Sequence, residues 1–104
     1  MDIEIIKVKV QQKAFFFSSH GEEERMDEDI LASEIMTAIL TGEILEQYPD
    51  TGRGESCLIL GFAEAKPIHV VCGWRGEQLI IITVYIPRLP YFSTPWVRSK
   101  TNGR

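Results

Sequence analysis

The chain has no hydrophobic run long enough to cross a bilayer. Its longest, Leu79 to Ile82, falls far short of the ~20 residues that a membrane helix needs. It has no CxxC or CxxH pair, and its two cysteines, Cys57 and Cys72, stand fifteen residues apart, which excludes the familiar zinc-ligand spacings. Glycine-rich phosphate loops, nucleophile elbows and metal-binding helices are missing as well. The start carries Asp2 and Glu4 where a signal peptide would have a base and an apolar run. There is no internal repeat and no low-complexity segment. These absences lead to the expectation of a cytoplasmic protein with no membrane segment, no metal and no cofactor, whose cysteines are reduced and buried.

What is there is an ordinary globular balance. Of 104 residues, 44% are hydrophobic and 25% charged, enough for one core and one domain over residues 1–104. The charge is unevenly spread. Residues 1–50 hold twelve acids and four bases, residues 51–104 three acids and seven bases, and from Ile86 to Arg104 there are four bases and no acid. A net charge of -4 makes bulk nucleic-acid binding unfavourable, although the basic half can meet phosphate locally.

Three stretches read as helices and fill most of residues 1–42. Ile35, Met36, Ile39 and Leu40 lie on one helical face of Ser33 to Gly42, with Ser33 or Asp29 as cap and Gly42 placed for a left-handed stop. Ser18 or Ser19 caps a second helix to Asp27, whose first turns hold Glu22, Glu23 and Glu24, acids that complement the helix dipole. Asp2 to Lys13 is read as a third helix. Its β-branched residues favour a strand, but Ile3, Ile6 and Val10 share a helical face. A short extended piece follows at Ala14 to Phe17.

Residues 43–86 read as four strands, Glu43 to Tyr48, Ser56 to Phe62, Ile68 to Trp74 and Gln78 to Ile86. Short turns join them, so neighbours pair antiparallel. The expected fold is α+β, with N-terminal helices packed on one face of a four-stranded antiparallel β-meander, and a proline-rich basic tail over residues 87–104. A turn centred between Glu64 and Ala65 sets Cys57 opposite Cys72, and one centred on Gly76 sets His69 opposite Thr83. Val70, Cys72, Ile80, Ile82 and Val84 then face the helices. His69, Val71, Ile81, Thr83 and Tyr85 share the other face, which should stay open. The expected core is Ile35, Met36, Ile39, Leu40, Leu58, Leu60, Val70, Ile80, Ile82 and Val84.

Several ordered pieces then carry a resemblance: Ser18-x-His20-x-x-x-x-Arg25-Met26, Gly42-Glu43-Ile44, Pro67-x-His69-Val70 and Thr83-Val84-Tyr85. Together, over roughly residues 14 to 96, they resemble the bacterial DUF4258 family, a domain of unknown function. That family is similar in its order of helices and strands to the small ribonuclease toxins of the RelE and BrnT type. The resemblance implies a RelE-like fold, a metal-independent endoribonuclease and two partners, RNA and an antitoxin-like protein. Fold alone does not fix function, and those toxins tend to be basic where this chain is acidic.

Cleavage by attack of a 2′-oxygen needs a base, an acid and a cation at the phosphate. His69, His20, Tyr85 and Thr83 are the candidate catalytic residues, and Arg25, Arg53 and Arg88 the candidate substrate-binding ones. Each also has a structural reading. A histidine inside an apolar strand is commonly a satisfied core residue, His20 can bond locally at its helix start, and Arg25 can pair with Glu22, Glu28 or Asp29 at helical spacing. The alternative function is a non-catalytic module that binds protein or nucleic acid. The aromatic tail, Tyr91, Phe92 and Trp96, raises a homo-oligomer as a further expectation.

Overall fold

The computed structural model describes residues 1–100. Three helices, α1 (Ile3–Gln11), α2 (Ser19–Asp27) and α3 (Ala32–Leu40), and five strands, β1 (Phe15–Phe17), β2 (Glu43–Tyr48), β3 (Ser56–Ala63), β4 (Lys66–Arg75) and β5 (Gln78–Tyr85), follow in the order α1-β1-α2-α3-β2-β3-β4-β5. The helical reading of the first segment holds because Asp2 caps it, its side chain accepting from Glu4 N at 2.8 Å. Burial of Ile6 and Val10 on one face then outweighs β propensity. Ser18 caps α2 through Gly21 N at 2.9 Å. The start of α3 differs from expectation: neither Ser33 nor Asp29 caps it. Leu31 stands at the N-cap, and Glu34 reaches back to Leu31 N at 2.9 Å.

The sheet has five strands in the order β1-β5-β4-β3-β2, which corrects the expectation of a four-stranded antiparallel meander. The extra strand is the short extended piece, whose Phe15, Phe16 and Phe17 pair parallel with Leu79, Ile80 and Ile81. The connection from β1 to β5 runs through most of the chain, and period-two patterning carries no signal of such a distant partner. Ile6, Val10, Ile35, Ala38 and Ile39 cover one face of the sheet, against Cys57, Ile59, Ile68, Val70, Cys72, Leu79, Ile81 and Val84. Gly42 does not take the left-handed conformation expected of it; among the described residues the positive-φ glycines are Gly52, Gly54 and Gly76. It is small for another reason, because a Cβ there would lie 2.5 Å from Ala38 O. Gly61 is tighter still, its would-be Cβ falling 1.7 Å from Ala38 O, so α3 rests directly on the β3 backbone.

Cys57 faces Cys72 as the turn arithmetic requires, and their sulfurs lie 3.9 Å apart as free buried thiols. The next hairpin departs from expectation. Its turn is centred between Gly76 and Glu77, with Arg75 opposite Gln78, and the register shifts again between Val71 and Cys72. Two β5 steps, Ile81 to Thr83, span one β4 step, so Ile82 is a bulge. His69 therefore faces Tyr85, not Thr83, and Val71 faces Thr83. The shifted turn changes the core: Ile81 is buried against the helices opposite Cys72, and Ile80 and Ile82, expected there, are half-buried, as are Met36 and Leu40, while the bulge returns Val84 to the helix side opposite Val70. A second bulge at Leu45, between the pairs Ile44–Ile59 and Glu46–Leu58, turns Glu46 to the face of Leu58 and away from the helices.

Candidate functional site

The second face of the sheet carries Leu58, Leu60, His69, Val71, Thr83 and Tyr85, joined through the Leu45 bulge by Glu43, Glu46 and Tyr48. The expectation that it stays open is corrected. After β5 the chain turns over residues 89–91, where Tyr91 N and Phe92 N donate to Arg88 O, and residues 91–99 lie across this face. Phe92 is 3% exposed, and Leu58, Leu60 and His69 are sealed beneath. Apolar surface on both sides of the sheet needs a cover, and α1 and α3 cover only one.

His69 has no exposed surface. Its Nδ1 lies 3.2 Å from the Tyr85 hydroxyl and its Nε2 2.7 Å from the carbonyl of Pro95. A carbonyl only accepts, so Nε2 carries the proton and Nδ1 accepts from Tyr85. Burial is the main influence on the imidazole and lowers its pKa; the carbonyl and Glu46 act the other way. The Phe92 ring meets it edge-on, centroids 4.5 Å apart. Burial likewise raises the pKa of Tyr85.

Beside His69 sits an ion-pair cluster. Arg98 puts Nε and Nη2 on the two Glu46 oxygens at 2.8 and 2.9 Å, while Tyr48 donates to the same carboxylate. The Arg98 hydrogen bonds hold the Glu46 carboxyl at about 2, well below the usual range. Burial, then the bonded carboxylate, pushes Tyr48 up to about 12. The Arg98 guanidinium lies 4.9 Å from the centre of the Phe92 ring.

A cleft of about 470 Å³ opens where this cluster meets α2, with Glu24, Glu28, Tyr85, Arg88, Leu89 and Tyr91 among its walls. Glu24 and Glu28, four residues apart, accept from Val84 N in β5 and from Ile86 N one residue past its end, at 3.3 and 3.1 Å. Beyond the last residue of β1, α2 thus does the work of a neighbouring strand. Helical i, i+4 spacing of ~6 Å nearly matches the ~7 Å of two strand residues.

The sequence candidates separate into two groups. His69, Tyr85 and Thr83 share the covered face, and Arg88 reaches the cleft, where Nη1 contacts Glu28 at 3.1 and 3.2 Å. The others lie elsewhere. His20 is exposed on α2, 3.4 Å from Glu24. Arg25 forks onto Glu22 at 3.0 and 2.9 Å and bonds Ile30 O. Arg53 sits in the exposed loop before β3, its carbonyl accepting from Arg75. Sequence reasoning placed none of Glu46, Tyr48, Pro95 or Arg98 at a site, and read Phe92 only as part of an aromatic tail suited to a homo-oligomer. The hints were that aromatic tail and the bases within it; the Leu45 bulge that turns Glu46 toward Arg98 leaves no mark in the pattern. Among the described residues no group of three or more His, Cys, Asp or Glu is gathered as a metal site, and no helix is long and apolar enough to cross a membrane.

The family model described as Domain of unknown function (DUF4258) matches residues 17–86. The chain belongs to this family. The match begins at the last residue of β1 and ends at Ile86, one residue past β5, so the family region contains α2, α3, β2–β5 and the His69 face. The covering residues 91–99 lie outside it. No curated protein and no solved structure matches the chain.

Proposed function

We propose that this DUF4258 chain is a non-catalytic module that binds a protein partner with a cationic contact surface. One observation carries the reading: His69, the strongest acid/base candidate, is sealed from solvent with both ring nitrogens occupied. A general base must come within hydrogen-bond reach of the proton it takes. The arginines that would hold a phosphate are apart from one another, Arg25 on Glu22 and Arg88 on Glu28. The exposed acids Glu23, Asp27 and Asp29 on and after α2 repel a polyanion and suit a basic protein surface. An antitoxin-like protein remains the partner that the family resemblance suggests.

The metal-independent ribonuclease of RelE or BrnT type is the second reading. It is favoured by the hydrogen-bonded His69–Tyr85 pair and by the cover lying outside the family region. In that reading His69, Tyr85 and Thr83 act on RNA only once residues 91–99 have moved, with His20, Arg25, Arg53 and Arg88 further away. RNA incubated with the full chain in EDTA separates the two. The module reading expects no cleavage, and equal background from wild type and His69→Ala. Cleavage lost with His69→Ala would make the chain an enzyme.

A further inference from the structure

Residues 91–99 are built less like an extension of the domain than like something bound to it. The segment closes on itself: Ser99 N donates to Tyr91 O and Ser93 N to Val97 O, each at 2.9 Å, while the Thr94 hydroxyl accepts from Trp96 N and Val97 N at 3.2 and 3.1 Å. Its shape is thus set locally. Its grip on the sheet runs through a few discrete groups. The Phe92 ring packs on His69, the Pro95 carbonyl accepts from His69 Nε2–H, and Arg98 forks onto Glu46. The Trp96 indole N–H reaches Glu43 at 3.2 Å, with its ring on Phe62. Prolines at 87 and 90 set the segment off from β5.

We propose that the His69 face is a recognition groove, that loop 91–99 occupies it as a ligand in cis, and that its ligand in trans is a loop of a partner protein presenting an aromatic ring and an arginine in the same arrangement. This deepens the binding-module reading and rests on it. The groove brings two acids, Glu43 and Glu46, and the segment that fills it comes from a stretch of the chain with bases and no acids, so charge complementarity fixes the sign of the occupant. A bidentate arginine–carboxylate pair fixes its geometry. The groove floor belongs to the family region and the cis loop does not, which is the division expected between a receptor and its built-in competitor. The cis loop lowers the apparent affinity for the partner by the fraction of time that the groove is free.

The test uses full-length protein and a head-to-tail cyclic peptide with the sequence of residues 91–99. Phe92→Ala/Arg98→Ala weakens the cis loop. That variant should bind the peptide with 1:1 stoichiometry in calorimetry, and wild type should bind it roughly tenfold more weakly or worse. Adding Glu46→Gln, or replacing the peptide's arginine by alanine, should abolish binding. If the double variant does not fold, Arg98→Ala alone, which keeps Phe92, serves in its place with an intermediate gain. Folded variants that bind no peptide overturn the proposal and leave the loop a structural cover. A wild-type dimer that the peptide dissolves also overturns it, because the occupant is then a second copy. A partner protein that binds wild type without competition from the peptide keeps the module reading and removes the groove.

Discussion

At the scale of single residues, the covered face is an acid-sensitive assembly. His69 has its pKa lowered by burial, so between 6.5, its ordinary value, and its folded value, the unfolded chain binds a proton that the folded chain does not. The His69 contribution to stability is fully present above pH 6.5 and is lost as pH drops through that window. Glu46 adds a second loss, since its folded carboxyl stands at about 2 against 4.5 unfolded and its contribution fades as pH falls through that interval. Tyr48, pushed up to about 12 from 10.0, weakens the fold as pH rises above 10.0, because there the unfolded phenol ionises first. A melting-temperature profile against pH should show these losses, and His69→Phe should flatten the first. Of these residues only His69 could be read from sequence as unusual, since it interrupts an apolar strand. Glu46 and Tyr48 look like ordinary members of an alternating strand, and their meeting with Arg98 depends on a bulge at Leu45 and on a loop fifty residues away.

Among the elements, β5 shows best what a sequence pattern reveals and what it hides. Strand composition, the bounds to within two residues and the Cys57–Cys72 register were legible, because β-branched runs end at marked turns and the Glu64-Ala65 turn is centred where it was expected. The bulge at Ile82 was not legible, because Ile80, Ile81 and Ile82 are chemically identical and apolarity cannot say which of them points inward. Ile81→Ala should cost ~2–5 kcal/mol, as for a fully buried truncation. Ile82→Ala should cost clearly less, and urea unfolding of the two variants checks the order. The pairing of β1 with β5 and the carboxylates of α2 along the edge of β5 were equally invisible, being contacts across more than fifty residues. Glu24→Ala and Glu28→Ala each strip an acceptor from a backbone amide, at ~1–3 kcal/mol. Hydrogen exchange should quicken at Val84 in the first variant and at Ile86 in the second.

For the molecule as a whole, the split of charge along the sequence becomes internal complementarity. Glu28–Arg88, Glu34–Lys66 and Glu46–Arg98 each join an acid from residues 1–50 to a base from residues 51–104. Much of the basic half therefore answers the acidic half of the same chain, and the asymmetry that suggested a local phosphate contact has a structural use. Such partly exposed pairs contribute ~0–1 kcal/mol each and are screened by salt. Raising ionic strength should lower the melting temperature modestly. Arg98→Ala should remove part of that salt dependence, together with the Arg98 grip on Glu46.

The isoleucine bulge has a genetic consequence. Loss of any one codon among Ile80, Ile81 and Ile82 produces the same shortened chain, in which Leu79 is followed by two isoleucines and Thr83. In that chain β4 and β5 can pair without interruption: Val71 still faces Thr83, the second of the two isoleucines faces Cys72, and every remaining side chain from Leu79 to Tyr85 keeps its side of the sheet. A one-residue deletion inside a central strand ordinarily inverts everything beyond it. Here it should leave a folded protein, losing chiefly the hydrogen bond from the Ser18 hydroxyl to Ile82 O. Removing Val84 instead lets Ile82 enter the ladder but sets Thr83 opposite Val70 in the helix-facing core, so it should cost clearly more stability, and thermal melts of the two deletions followed by circular dichroism would tell them apart.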